Sequence, residues 1–161
     1  MKNLVIVFVV LCFSSMGYLF KQKYKNQKIF LEEIKDFLEY FKANMSVLDS
    51  NVIEIINSYK IIQNNKNAKD FNLFQNNENL VEFSAKTLEK HIYNEKIIQI
   101  LKNYFEDFGS KTHEFELEKL NNILSFLDGF IQKTEDEIKS KGDILFKILI
   151  AVGLVFAIVL W

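Results

Sequence analysis

Apolar residues gather at both ends of this chain, in near-continuous runs from Leu4 to Phe20 and from Ile144 to Trp161, while between them they recur at helical spacing among charged and polar neighbours. Coiled as a helix at about 1.5 Å per residue, each run reaches about 26 Å, close to the roughly 30 Å of a bilayer's hydrocarbon. Each therefore predicts a membrane-spanning helix. In the stretch between them, Phe30, Ile34, Phe37, Leu38, Phe41, Met45 and Leu48 step by three and four, which predicts an amphipathic helix continuous with the first run. Asp49 or Ser50 is placed to cap a second helix whose inner side is Val52, Ile53, Ile56, Tyr59 and Ile62. The asparagine-rich segment from Gln63 to Asn79 reads as a loop pinned by Phe71, Leu73 and Phe74.

A third helix follows from Glu78 to about His91, carrying Leu80, Val81, Phe83 and Leu88. After Asn94 comes a fourth, with Ile97, Ile98, Leu101, Tyr104, Phe105 and Phe108 inward and Gly109 where a left-handed C-terminal cap is wanted. Thr112 caps the last helix. Its apolar positions Leu117, Leu120, Leu124, Leu127, Ile131, Thr134 and Ile138 keep the same spacing, and it continues toward the second run with Gly142 as a joint.

Composition sharpens this picture. Proline is absent and the five glycines stand at 17, 109, 129, 142 and 153, so helix breakers are scarce in a chain rich in Lys, Glu, Leu, Ile and Phe. The expected fold is all-α, an antiparallel helical bundle over 21–143 flanked by an N-terminal transmembrane helix (1–20) and a C-terminal one (144–161). Sixteen phenylalanines supply much of its core. A net charge of -1 gives no electrostatic case for nucleic acid, and the single cysteine excludes an internal disulfide framework.

The lysines set the expected orientation, because basic side chains beside a span are retained in the cytoplasm. Lys21, Lys23, Lys25 and Lys28 follow the first run, and Lys139, Lys141 and Lys147 precede or enter the second. Both ends thus place the central residues in the cytoplasm of a two-pass protein of the cell membrane. Lys147 lies about one turn inside its run and must snorkel back to the headgroups. Tyr18 and Tyr24 suit the inner interface and Trp161 the outer one. A cleaved signal peptide is the competing reading of the first run, opposed by the downstream lysines. Cys12 follows Val9, Val10 and Leu11, bulky where a lipidation site needs small residues, and reads as a buried apolar thiol.

Candidate chemistry is sparse. No two glycines lie close enough for a phosphate-binding loop, and His91 and His113 have neither a cysteine partner nor a His-Glu-x-x-His arrangement, so no cofactor or metal is expected. Glu114, Glu116 and Glu118, spaced by two, fan around a helix instead of converging, and Glu135, Asp136 and Glu137 read as a solvated face. No catalytic residue is assigned. Gly153 and Ala157 form the small-xxx-small pattern that lets membrane helices approach, with Gly17 as a counterpart in the first run.

Particular segments carry a resemblance. The apolar start ending Gly17-Tyr-Leu-Phe-Lys, the helix from Ile29 to Lys42, and the helix from Ile100 to Gly109 followed by a long helix and a span with Gly153-Leu154 resemble the stage III sporulation protein AB family over essentially the whole chain. The chain departs from that family's pattern in lacking a Thr-Pro pair near Ser46 to Ser50 and in carrying Leu149 where a second glycine is expected. The resemblance implies similarity to the F component of type II secretion systems. It implies a non-enzymatic platform subunit of the apparatus joining mother cell and forespore, docked by a secretion-type ATPase at the tip formed by Gln63 to Asn79 and Gly109 to Thr112. Its implied partners are membrane lipid, that ATPase, other channel subunits and further copies of itself. The alternative is a membrane-anchored helical scaffold or regulatory protein unrelated to sporulation; an enzyme ranks last.

Overall fold

The computed structural model describes residues 2–45, 52–65, 87–108 and 112–160, nearly all of them helical, with no strand among the described residues. The elements are α1 (Lys2–Met45), α2 (Val52–Asn65), α3 (87–91), α4 (Glu95–Glu106), α5 (His113–Glu137), a π-helical turn (Ile138–Gly142) and α6 (Asp143–Leu160). The chain divides into two compact units: Ile29–Phe130, and a second made of Met1–Lys28 with Ile131–Trp161.

In the unit Ile29–Phe130, α1 contributes Phe30, Leu31, Ile34, Phe37, Leu38 and Phe41, all buried. Three- and four-residue steps place these side chains on one stripe, as the spacing predicts, and each buried ring contributes on the order of 2 to 3 kcal/mol of transfer free energy. Rings from three helices meet here: Phe37 lies 5.2 Å from Tyr59 of α2, and Phe108, just beyond α4, lies 4.4 Å from Phe41 and 5.5 Å from Tyr104. A salt bridge from Lys35 to Asp128 at 2.6 Å joins α1 to α5 inside the same unit. The Asp128 carboxylate holds the Lys35 ammonium above its ordinary range.

α2 presents a different face from the one expected. Ile55 and Tyr59 are buried, Ile56 is half-buried and Ile62 is exposed. Adjacent isoleucines offer two apolar stripes about 100° apart, and packing of Tyr59 against Phe37 selects the stripe that contains Ile55. α2 also runs to Asn65, three residues into the expected loop. The remainder of that segment, its pinning residues, the caps Asp49 and Ser50, and Leu48, Leu80, Val81 and Phe83 lie outside the described residues, as do the side chains of Val52 and Ile53.

Local chemistry fixes the ends of α4. The Asn94 side chain accepts hydrogen bonds from the Lys96 and Ile97 amides, satisfying donors that the first helical turn leaves open. At the other end the cap is Asp107, two residues earlier than Gly109, which itself lies outside the described residues. Thr112 occupies the capping position of α5, its carbonyl accepting from the Glu116 amide at 2.9 Å.

Substitutions in this unit separate packing from propensity. Phe37→Ala is expected to cost about 3 to 5 kcal/mol in denaturant unfolding of the full chain, because its ring is fully enclosed. Phe115→Ala, at a ring 51% exposed, stays within about 0.5 kcal/mol. Gly129 is exposed on α5 with nothing within 4 Å of an added Cβ, so Gly129→Ala raises stability by about 0.5 to 1 kcal/mol.

Candidate functional site

Within the unit formed by Met1–Lys28 and Ile131–Trp161, α1 runs antiparallel to α5 and α6. Gln27 meets Thr134, Lys21 meets Asp143, Gly17 meets Phe146 and Phe13 meets Gly153, so each step toward the start of α1 is matched by a step toward the end of α6. The seam changes character along its length, from buried amide and hydroxyl through ion pairs to rings and glycines.

Gly17 and Gly153 each sit at this seam, but they do not face one another. A Cβ built on Gly17 would stand 2.9 Å from Phe146 Cδ2 and 3.1 Å from Phe146 Cα. One built on Gly153 would stand 3.2 Å from Phe13 Cβ and 3.5 Å from Val10 Cα. Each glycine therefore receives the opposite helix where that helix carries a phenylalanine, and the ring of Phe13 stacks on Phe156 at 5.7 Å. Leu149 fills the space beside Gly17 at 3.5 Å. Ala157 is half-buried. The joint expected at Gly142 is a π-helical turn, and Gly142 is buried against the Lys21 backbone, with 3.6 Å from an added Cβ to Lys21 Cα.

Of the seven lysines expected to set orientation, Lys21 pairs with Asp143 at 2.7 Å, Lys28 with Glu135 at 3.2 Å, Lys139 with Glu135 at 3.0 Å and Lys141 with Glu137 at 2.9 Å. Lys23, Lys25, Lys139, Lys141 and Lys147 are exposed, and Lys21 and Lys28 are half-buried. The acidic run Glu135 to Glu137 is thus only partly a solvated face: Asp136 is exposed, while its two neighbours are half-buried and paired. Lys139 and Lys28 hold the Glu135 carboxyl below its ordinary range, and Lys21 does the same for Asp143.

Sequence reasoning missed the rings Phe13 and Phe146 of the seam and, among its polar members, Gln27, Glu135 as a shared anchor for two lysines, and Asp143. Gln27 and Thr134 are both buried, with the Gln27 amide donating to the Thr134 hydroxyl at 3.4 Å. The mirrored placement of Lys21 just after one apolar run and Asp143 just before the other was the available signal for that pair. Cys12 is exposed, not buried as expected. It follows that α1 turns Val10, Phe13 and Gly17 to the seam, which leaves the intervening thiol on another face.

Among the described residues, no three metal-ligating side chains gather. His91 stacks on Phe30 at 4.7 Å, and burial, with Lys90 nearby, holds its imidazole below the ordinary range. The His113 side chain lies outside the described residues. Of the three acids at the start of α5, Glu114 and Glu118 are exposed and Glu116 is buried near Tyr104. Burial, with Glu116 adding to it, pushes the Tyr104 phenol far above its ordinary range.

Apolar surface dominates the rest of this unit. Among the described residues one helix, Glu114–Val159, is long and apolar enough to cross a membrane by length and composition. Phe8, Leu11, Leu19, Ile158 and Val159 are exposed, Val159 at 76%. The first apolar run forms the start of α1, although the side chains of Leu4, Val5, Ile6 and Val9 lie outside the described residues, as does Trp161.

Two measurements probe the seam. Gly17→Ala is expected to cost about 1 to 3 kcal/mol in thermal unfolding of the full chain, more than Gly153→Ala, because its methyl would stand 2.9 Å from the Phe146 ring and 3.1 Å from the Phe146 backbone, closer than any contact at Gly153. Glu135 has a depressed pKa, so its contribution to stability is complete above its ordinary value of 4.5 and is lost as pH falls below it. The melting temperatures of the parent and Glu135→Gln should therefore differ near pH 7 and converge as pH falls below about 4.

The family model for stage III sporulation protein AB matches residues 2–161. Comparisons with curated proteins and with solved structures give no match. A match across essentially the entire length decides the relationship: the chain belongs to the stage III sporulation protein AB family, and its role is in sporulation.

Proposed function

We propose that this protein is a non-enzymatic, two-pass platform subunit in the cell membrane of the sporulating cell, with its central residues cytoplasmic and docked by a cytosolic ATPase of the secretion type. The observation that carries the reading is the apolar exterior of the unit formed by the two chain ends. Large side chains such as Phe8, Leu19 and Ile158 are costly to hold in water over so wide an area and cost nothing in lipid. α6, with 18 residues, is about 27 Å long, enough for a span with little tilt.

Orientation follows in this reading from Lys21, Lys23, Lys25 and Lys28 after one span and Lys139, Lys141 and Lys147 at the start of the other. Acidic partners do not offset them, because basic residues dominate the choice of side and Asp and Glu contribute little. The ATPase partner is proposed for a sequence with no phosphate-binding loop, in which the energy source would be another chain. The docking surface proposed is the segment Gln63 to Asn79 together with Gly109 to Thr112. Further copies of the chain and other channel subunits complete the assembly.

Thiol accessibility tests the topology in a Cys12→Ser background. Asn65→Cys should be shielded from an impermeant maleimide in intact cells and react after lysis, whereas a cysteine appended after Trp161 should react in both. Labelling of Asn65→Cys in unbroken cells would refute the orientation. For the partner, a tagged full-length chain from sporulating cells should recover a secretion-type ATPase, and removing Gln63 to Asn79 should abolish that recovery. Recovery unchanged by the deletion rules out this surface; lipid and self alone would mark a standalone anchor.

A further inference from the structure

The π-helical turn has a numerical consequence. Two turns of α-helix consume about seven residues, yet the step from Thr134 to Gly142, both on the face toward α1, takes one more. The turn absorbs that residue, and Phe146, Leu149 and Gly153 keep the seam beyond it. An uninterrupted α-helix from Thr134 would instead bring Lys141, Leu145, Ile148 and Val152 to α1. Lys141, Leu145 and Ile148 are now exposed, and Val152 is half-buried.

We propose that the turn stores a surplus residue that gives α6 two seats on α1. One is the present seat; the other is reached when the turn anneals to α-helix, rotating α6 by about 100° and sliding it about 1.5 Å. Transfer free energy does not choose between them, since the second seat exchanges Phe146, Leu149 and Gly153 for the equally apolar Leu145, Ile148 and Val152; shape favours the present seat, because Val152 would bring its side chain to where a Cβ on Gly153 already stands 3.2 Å from Phe13 Cβ.

Charge and bulk at the turn add to that choice. In the present seat Gly142 lies against Lys21, and Asp143 reaches the Lys21 ammonium at 2.7 Å. Annealing would place Lys141 where Gly142 now stands, setting two ammonium groups together, and would carry Asp143 away. The turn therefore converts a change of charge beside Lys21 into rotation of α6. Lys21, with a smaller contribution from Lys147, holds the Asp143 carboxyl low, while Glu137 pairs with Lys141. These groups bias the same balance.

Disulfide trapping in the full-length chain, read in whole-cell lysates of a Cys12→Ser background, tests the device. Phe13→Cys with Gly153→Cys reports the present seat, the distance from an added Gly153 Cβ to Phe13 Cβ being 3.2 Å, near the roughly 3.5 to 4.5 Å that a disulfide spans. Phe13→Cys with Val152→Cys reports the other. Adding Lys141→Ala with Asp143→Asn should raise the second yield relative to the first about fivefold. Deleting Ser140 removes the surplus residue while leaving the glycine face on α1. It should keep the Gly153 yield within about twofold and suppress the Val152 yield whatever the charges at 141 and 143. Ser140→Ala, which keeps the chain length, should reproduce the parent ratio. A ratio indifferent to Lys141 and Asp143 overturns the two seats, and so does a Ser140→Ala ratio unlike the parent's. Loss of the Gly153 cross-link on deletion, at undiminished protein level, overturns the surplus residue.

Discussion

Close approach of α1 to α6 at Gly17 and Gly153 is the constraint from which the rest of the terminal unit follows. A helix that is apolar all round has no preferred face by transfer free energy, so its phase must come from shape and from the few polar groups at its end. Glycine supplies the shape. At Gly17 the Phe146 ring and backbone occupy the space a methyl would need, and at Gly153 the Phe13 side chain does the same from the other helix. Exchanging ring for glycine in both directions lets the two backbones approach more closely than larger residues would allow, and dispersion rises accordingly.

Polar groups then fix what shape leaves open, namely sliding along the seam. Gln27 and Thr134 are buried and satisfy each other, so a slip of one helical turn would strand both against apolar neighbours. Lys28 with Glu135 and Lys21 with Asp143 add two more rungs at matching positions. The surface pairs are individually weak. Their value lies in agreeing on one register that the buried pair already demands, with the π turn supplying the residue needed to keep α6 in phase with them.

Much of this fold was legible in the sequence, and the parts that were not share a cause. Helical content, the start of α4 after Asn94, the start of α5 at Thr112 and the α1 stripe from Phe30 to Phe41 are local properties, written within a turn or two of the residue concerned. So was the break at Gly142, although its form as a π turn was not. Ile55 was missed because two adjacent isoleucines satisfy the same periodicity and only Phe37, from another helix, decides between them. Cys12 was misread because a lone thiol in an apolar run carries no mark of which face it occupies. In the candidate site Gly17 and Gly153 were legible by type, but their partners Phe146 and Phe13 were not, since nothing local pairs residues so far apart in the chain.

The lysines carry two roles that act at different times. During insertion a basic side chain counts by its charge alone, before any tertiary partner exists, which is why Asp143 and Glu135 do not cancel the orienting effect proposed for Lys21 and Lys28. Once the helices have met, those same ammonium groups become rungs of the seam and their charge is locally matched. Lys25 and Lys147 remain exposed. In the proposed topology Lys25 stands where phosphate headgroups would be, whereas Lys147 also acts on Asp143, so that one carboxylate serves both a lysine of the seam and a lysine at the entry to the membrane.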